Sequence, residues 1–217
     1  MKYINIIFDF DGVLAESLHI KTQAFFQIYK QYGKDVAQQV VAHHNANGGM
    51  SRYEKFPYYH KKFLNIDLSE KEVNQLSGKF SKMVIDEVIK ANEVQGASWF
   101  LTKYQNHCKY WIVSATPTNE IIEIATKRNV SNFFIKIYGS PDKKTGIVQN
   151  IINSNNLILN KTVFIGDAMS DFKAAEDNGI HFILRRMQEN KDLFKEHSDI
   201  ICFTDYYELD LLLGNQI

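Results

Sequence analysis

Asp9 and Asp11 stand two residues apart, directly after the run Ile4-Asn5-Ile6-Ile7-Phe8 and just before Gly12. At that spacing both side chains point the same way while the backbone stays extended. Two carboxylates so placed repel each other and need a cation, a shared proton or water. A hard divalent ion such as Mg²⁺ suits oxygen ligands and would also attract a phosphate. One carboxylate can attack phosphorus to form an aspartyl-phosphate. The second can protonate the leaving oxygen and then activate water. Gly12 lets the chain turn away and leaves room for a ligand near the backbone. An aspartate pair that only caps a turn is the simpler competing reading.

Three further stretches offer partners for this chemistry. Ser114, Ala115 and Thr116 follow the apolar run Tyr110-Trp111-Ile112-Val113, where hydroxyls and the free amides of a helix start can hold phosphate. Lys143 and Lys144 follow Gly139-Ser140-Pro141, and either ammonium could neutralise a phosphate and its nucleophile. Lys144 is favoured because Ile147 and Val148 follow it at helical offset; Lys143 stays open. Asp167 and Asp171 bracket a small-residue turn after Thr162-Val163-Phe164-Ile165. Singly, these residues read as a helix cap, a surface charge and turn caps. Together, acids for a metal, hydroxyl and amides for a phosphate, and a lysine between them make a phosphoryl-transfer site.

Such residues need a frame that brings them together. Ile4 to Phe8 reads as a strand buried on both faces, the mark of a parallel sheet in an α/β domain. In such sheets ligands bind beyond the carboxyl ends of the strands, where Asp9 and Asp11 stand. Strands are expected at 110–113, 133–138, 162–165, 180–184 and 200–203, and helices near 119–128, 147–152, 172–177 and 207–213. Residues 16–88 show helical spacing and no convincing strand. Ser17 is the expected cap of the first helix and Gly33 its stop, and Ser69-Glu70-Lys71-Glu72 reads as a capping box opening a long helix. The expected organisation is a catalytic core of residues 1–15 and 89–217, interrupted by a helical unit over 16–88.

Composition narrows the field. The 217 residues, 45 % of them hydrophobic, suffice for one α/β domain and a smaller accessory unit. Acidic and basic residues balance at 25 each, which points away from nucleic acid or a membrane surface as partner. Two cysteines, Cys108 and Cys202, make no disulfide framework and read as buried thiols. No signal peptide or spanning segment is legible, so the expected location is cytoplasmic.

The chain resembles the haloacid dehalogenase-like superfamily. The matching stretches are Phe8-Asp9-Phe10-Asp11-Gly12-Val13-Leu14, Ile112-Val113-Ser114-Ala115-Thr116, the lysine after Gly139-Ser140-Pro141, and Ile165-Gly166-Asp167-Ala168-Met169-Ser170-Asp171. They cover residues 1 to about 184 in order. The resemblance implies a Rossmann-like core with a helical cap inserted after the first strand. It implies Asp9 as nucleophile and Mg²⁺ ligand, and Asp11 as general acid/base giving the metal a backbone carbonyl. Ser114 would bind phosphate, Asp167 would ligate Mg²⁺, and Asp171 would support the metal or its waters. An acid at position 11 matches the phosphatase and phosphomutase branches.

In the helical unit, Gly48-Gly49-Met50-Ser51-Arg52 combines a free backbone with a residue suited to grip an anion, against the plainer reading of a helix connection with a solvated arginine. Lys55 could join Arg52. His43 and His44 read as solvent-facing or packed, and Tyr53, Phe56, Tyr58, Tyr59 and Phe63 as the unit's core. The expected activity is a Mg²⁺-dependent phosphatase acting on a small phosphorylated metabolite, a sugar phosphate or small carboxylate phosphate among the candidates. A phosphomutase and a non-catalytic phospholigand-binding protein are the alternatives.

Overall fold

The computed structural model describes residues 2–197 and 199–214; Met1 and 215–217, the outer ends of the expected core segments, lie outside the described residues. Six parallel strands form one sheet: β1 (Asn5–Phe8), β2 (Lys109–Pro117), β3 (Lys136–Ser140), β4 (Thr162–Gly166), β5 (His181–Arg185) and β6 (Ile201–Phe203). Their spatial order is β3-β2-β1-β4-β5-β6, so β1 lies between β2 and β4, with Phe8 opposite both Ile112 and Ile165. This is the expected Rossmann-like α/β architecture.

Strand alternation divides the core. Ile6, Phe8, Tyr110, Ile112, Val163 and Ile165 join one buried cluster, together with α6 (Thr118–Lys127) and α9 (Tyr206–Gly214). Ile7, Trp111, Val113 and Phe164 join another, against α7 (Lys144–Asn155) and α8 (Met169–Asp177). The sheet is thus covered on both faces, as its apolar strands require.

Between β1 and β2 run α1 (Leu18–Tyr29), α2 (Lys34–Ala46), α3 (Arg52–Tyr59), α4 (Glu70–Lys90) and α5 (Ala97–Tyr104). The Ser69–Glu72 capping box forms on α4, and Gly33 takes φ +109 at the turn into α2. Phe25, Phe56, Tyr59 and Phe80 pack together at the centre of this helical stretch, with ring centroids 4.6–6.1 Å apart among the pairs around Phe25 and Phe80. Of the aromatic residues of 53–63, Phe56 and Tyr59 lie in the core and Phe63 packs against it, whereas Tyr58 is exposed and Tyr53 half-buried outside it. Among the described residues no helix is long and apolar enough to cross a membrane.

Some boundaries differ from expectation. Ile4 is 43 % exposed and precedes β1, although its backbone pairs with Lys161 and Lys109. Residues 131–133 form a short 3-10 turn, so β3 begins at Lys136 and runs through Gly139 and Ser140. β2 extends to Pro117, which makes Ser114, Ala115 and Thr116 strand residues rather than parts of a helix start. Cys108 is buried as expected, whereas Cys202 is only half-buried. Ala97–Tyr104 forms a helix without a side-chain cap, entered through Gly96 in the left-handed region.

Ile7 is fully buried in the central strand and Ile158 is 58 % exposed. Ile7→Ala is expected to lower stability by about 2–5 kcal/mol, and Ile158→Ala by no more than about 0.5 kcal/mol. Urea denaturation of the two variants measures the difference; equal losses would contradict the assigned core.

Candidate active site

The sheet order turns four separated segments into neighbours. Across one edge lie the residues after β3, the end of β2, the residues after β1 and the turn after β4. Lys144 opens α7 and is buried; its Nζ lies 2.8 Å from Asp9 Oδ2 and 2.6 Å from Asp171 Oδ1. Lys143 precedes it, exposed, and lines a cavity of about 300 Å³ with Ser140, Ser170 and Lys173, which adjoins the acids through Lys144, Ala115 and Ala168. The geometry brings Lys144, not Lys143, to the acids.

Asp9, Asp167 and Asp171 each offer a carboxylate oxygen, and these oxygens all lie within 4.8 Å of one another. Asp171 is wholly buried. Its Oδ2 accepts from the backbone amides of Asp167 and Ala168, so it also caps the β4–α8 turn. The Asp167 carboxylate accepts no hydrogen bond and forms no ion pair among the described residues. Burial, with Asp9 and Asp171 nearby, holds its pKa well above the ordinary carboxylate range. Asp9 rises to about 7: burial leads, Lys144 opposes it, and Asp171 and Asp11 add to it. Burial works against the Lys144 ammonium, but Asp171 and Asp9 outweigh it and raise its pKa. Three buried acids with one lysine, which touches two of them, are short of positive charge, and the atoms they offer a cation are all oxygens. The set fits an oxygen-seeking divalent cation such as Mg²⁺.

Two glycines make the approach possible. Gly12 has φ +74, and a Cβ there would lie 2.6 Å from Asp167 Oδ2. At Gly166 a Cβ would lie 2.3 Å from the Asp171 Cβ. A larger residue at 12 would push the β1 and β4 turns apart, and one at 166 would displace Asp171.

Asp11 has different neighbours. Its Oδ1 accepts from Ser17 Oγ at 2.6 Å, and its Oδ2 accepts from Thr116 Oγ1 at 3.1 Å and from Lys21 Nζ. Lys21 Nζ also donates to Thr116 Oγ1 at 2.7 Å. Burial alone would raise the Asp11 pKa; Lys21 and the two hydroxyls outweigh it and hold the carboxyl below its usual range. Ser17 therefore gives its hydroxyl to Asp11 and makes no side-chain bond to the start of α1, contrary to its expected capping role. Ser114 is buried, and its Oγ accepts from the Thr116 amide at 3.1 Å.

A cavity of about 240 Å³ is lined by Asp9, Asp11 and Asp167, by Ala115 and Ala168, and by Lys21 and His44 from the helical stretch. Arg52 does not face this cavity. It is buried with its Nη2 2.9 Å from Glu120 Oε2, donates from Nη1 to Ser81 Oγ at 2.7 Å, and lies 4.6 Å from the Phe80 ring centroid. Its guanidinium is thus occupied by α6 instead of standing open to an anion. His43 stacks on Tyr58, and His44 is buried against Phe25, so both are packed.

Sequence reasoning does not find Lys21, Arg185 or Asn190. Arg185, at the end of β5, donates from Nη1 to the Gly12 carbonyl and to Glu16 Oε2, both at 3.0 Å. Asn190 Nδ2 donates to the Asp167 carbonyl at 2.9 Å. Lys21 lies ten residues beyond Asp11 in an amphipathic helix, where a lysine carries no distinguishing signal.

The family model described as haloacid dehalogenase-like hydrolase matches residues 6–185. A curated relative, the phosphorylated carbohydrates phosphatase of Thermotoga maritima, is 24 % identical over 186 residues, 82 % of each chain. Among solved structures, a predicted phosphoglycolate phosphatase from Haemophilus somnus superimposes with a TM-score of 0.74 at 18 % identity, covering 100 % of this chain and 99 % of that one. A β-phosphoglucomutase from Clostridium difficile superimposes with a TM-score of 0.75 at 17 % identity, covering 99 % and 96 %.

The raised acids give a stability test. Between pH 4 and 7 the metal-free native state binds more protons than the unfolded chain, because Asp9 has moved from 3.8 to about 7 and Asp167 has moved the same way. Stability is then highest below pH 4 from this source and falls as pH rises through 7. Mg²⁺ replaces those protons, so the rise in melting temperature on adding Mg²⁺ is expected to grow from pH 5 to pH 8. A Mg²⁺ effect that is absent at pH 8 would contradict the acid cluster as its site.

Proposed function

The chain belongs to the haloacid dehalogenase-like hydrolases, and on that footing we propose that it is a Mg²⁺-dependent phosphatase of small phosphomonoesters, working through an aspartyl-phosphate. The observation that carries the reading is Asp9, buried at the head of the central strand with its carboxylate between Lys144 and Asp167.

In this reading Asp9, Asp167 and Asp171, with the Asp11 backbone carbonyl, would hold the metal. Bound Mg²⁺ would neutralise the phosphoryl oxygens and orient them for in-line attack. Lys144 fixes the Asp9 carboxylate and balances charge on the transferring group. Ser114, with the backbone at Gly12, Ala115 and Thr116, cradles the phosphoryl oxygens. Asp9 attacks phosphorus, the ester bond breaks, and the leaving alcohol takes its proton from Asp11. Asp11 then removes a proton from the water that cleaves the aspartyl-phosphate. The cage of Lys21, Ser17 and Thr116 keeps Asp11 ionised, ready for that second step. To serve the first, Asp11 must take a proton from solvent before the ester bond breaks, with Lys21 still beside it.

We assign residues 16–88 as a cap on a core of 1–15 and 89–217. Two chain crossings lie side by side at that boundary: Glu16 N donates to the Asn92 carbonyl at 2.9 Å, and Val94 N to the Leu14 carbonyl at 3.1 Å. A cap there would shield the acids from bulk water and meet the organic part of the substrate. The relative named for phosphorylated carbohydrates favours a sugar phosphate as substrate. The likeness to a β-phosphoglucomutase supports one alternative, in which a sugar accepts the phosphoryl group from Asp9.

Asp9→Asn is expected to remove turnover, by at least about 10³-fold, while the far-UV circular dichroism is unchanged. A phosphomonoester panel with Mg²⁺ measures it: free phosphate identifies the phosphatase, and an isomerised sugar phosphate identifies the mutase. Undiminished phosphate release by Asp9→Asn would overturn the nucleophile assignment.

A further inference from the structure

Lys55 is the least comfortable charge in the molecule. It is 1 % exposed on α3, and no carboxylate lies within ion-pair distance of its Nζ among the described residues. Its contacts are His44 Nδ1 at 2.7 Å and the face of Phe25, with the ring centroid 5.6 Å away. Glu54, beside it in sequence, accepts from the Ser51 amide instead. A buried ammonium without a counter-charge is costly, and such a group either shifts its pKa toward the neutral form or takes up a partner of opposite charge.

Lys55 also lines a small chamber of about 30 Å³, with Lys21, His44, Arg52, Ala115 and Thr116 among the other walls. Lys21, His44, Gly48 and Ala115 line both this chamber and the larger cavity at the acids, so the two adjoin. Three cations border the chamber. Lys21 is matched by Asp11 and Arg52 by Glu120, which leaves one positive charge over. The volume matches about two oxygen-sized atoms, the scale of a carboxylate. The adjoining cavity is lined in part by Thr22, Gln23 and Asn45, side chains able to bond hydroxyls along a chain leading to it.

We propose that this chamber receives a carboxylate on the leaving group of the substrate, paired with Lys55, and that the preferred substrates are phosphorylated sugar acids. The proposal rests on the phosphatase reading for its turnover and on the chamber for its selectivity. His44 fits the role: burial first, then Lys55 and Lys21, keep its imidazole neutral, so Nδ1 accepts from the ammonium and aims it. Burial and Lys21 also lower the Lys55 pKa to about 7, a penalty that an incoming carboxylate would reverse.

Two matched pairs test it: 6-phosphogluconate against sorbitol 6-phosphate, and 3-phosphoglycerate against glycerol 3-phosphate. Each pair differs only in a carboxylate against a hydroxymethyl group. Turnover is measured on the wild-type protein, and binding by calorimetry on Asp9→Asn, both with Mg²⁺. The expected result is a kcat/KM and an affinity about 10- to 100-fold higher for the acid of at least one pair. Lys55→Met is expected to reduce that ratio to near one, with a melting temperature no lower than wild type, because an unpaired buried charge has gone. Turnover of both members without preference would overturn the chamber assignment and leave the phosphatase reading standing. Preferential binding of the acid without turnover would do the reverse. Neither binding nor turnover of any of the four would overturn both, and a preference that survives in Lys55→Met would exclude Lys55 as its source.

Discussion

Like charges forced together out of water govern this structure. Asp9, Asp167 and Asp171 crowd one buried patch at the edge of the sheet, and among the described residues a single ammonium, that of Lys144, touches two of them. Repulsion at such distances in a poorly hydrated site is worth several kcal/mol unless a proton or cation relieves it. The fold accepts that cost at the place where the strand ends converge. The order β3-β2-β1-β4 sets the acids of β1 and β4 next to each other, and Gly12 and Gly166 permit contact distances that no other residue allows.

Around the patch, the supporting bonds hold backbone as much as side chains. Arg185 grips the Gly12 carbonyl, Asn190 grips the Asp167 carbonyl, and Asp171 fixes the amides of Asp167 and Ala168. Positions of the acids are therefore determined before any ligand arrives, which is what electrostatic preorganisation requires. The helical stretch is tied to the same edge by other means. Arg52 reaches across to Glu120 on α6, and at Gly49 the backbone comes so close to Ser170 that a Cβ would lie 1.6 Å from its hydroxyl oxygen. A buried pair such as Arg52–Glu120 adds little stability when intact but leaves an uncompensated charge when one partner is lost, so it favours one docking geometry over others.

Residues at the ends of apolar strands were legible because two signals coincide there: a β-rich run and an abrupt change to Asp, Gly or Ser. That is why Asp9, Asp11, Asp167 and Asp171 could be read from the chain, and why the offset of Ile147 and Val148 favoured Lys144 over Lys143. Lys21 and Lys55 carry no such mark. Each sits in a helix beside other lysines or aromatics, and only tertiary packing distinguishes a buried ammonium from a solvated one. Ser17 shows a competition that sequence cannot resolve, since one hydroxyl could serve the helix start or Asp11, and it serves Asp11. Arg52 shows the converse: a guanidinium suited to a ligand finds a carboxylate 68 residues away. The strand boundaries slipped for a simpler reason. Ile4 and Phe133 are apolar enough to extend their neighbours, but the sheet ends before Ile4 is covered and begins only after a turn at 131–133.

The central claim is that the buried acids gather a divalent cation beside Asp9 so that this carboxylate can accept a phosphoryl group. A crystal structure determined with Mg²⁺ and beryllium fluoride, a tetrahedral mimic of a phosphorylated carboxylate, tests it most directly. The account predicts beryllium bonded to an Asp9 carboxylate oxygen, with Mg²⁺ held by Asp9 and Asp167 beside it. An adduct on another residue, or Mg²⁺ bound away from Asp167, would contradict it.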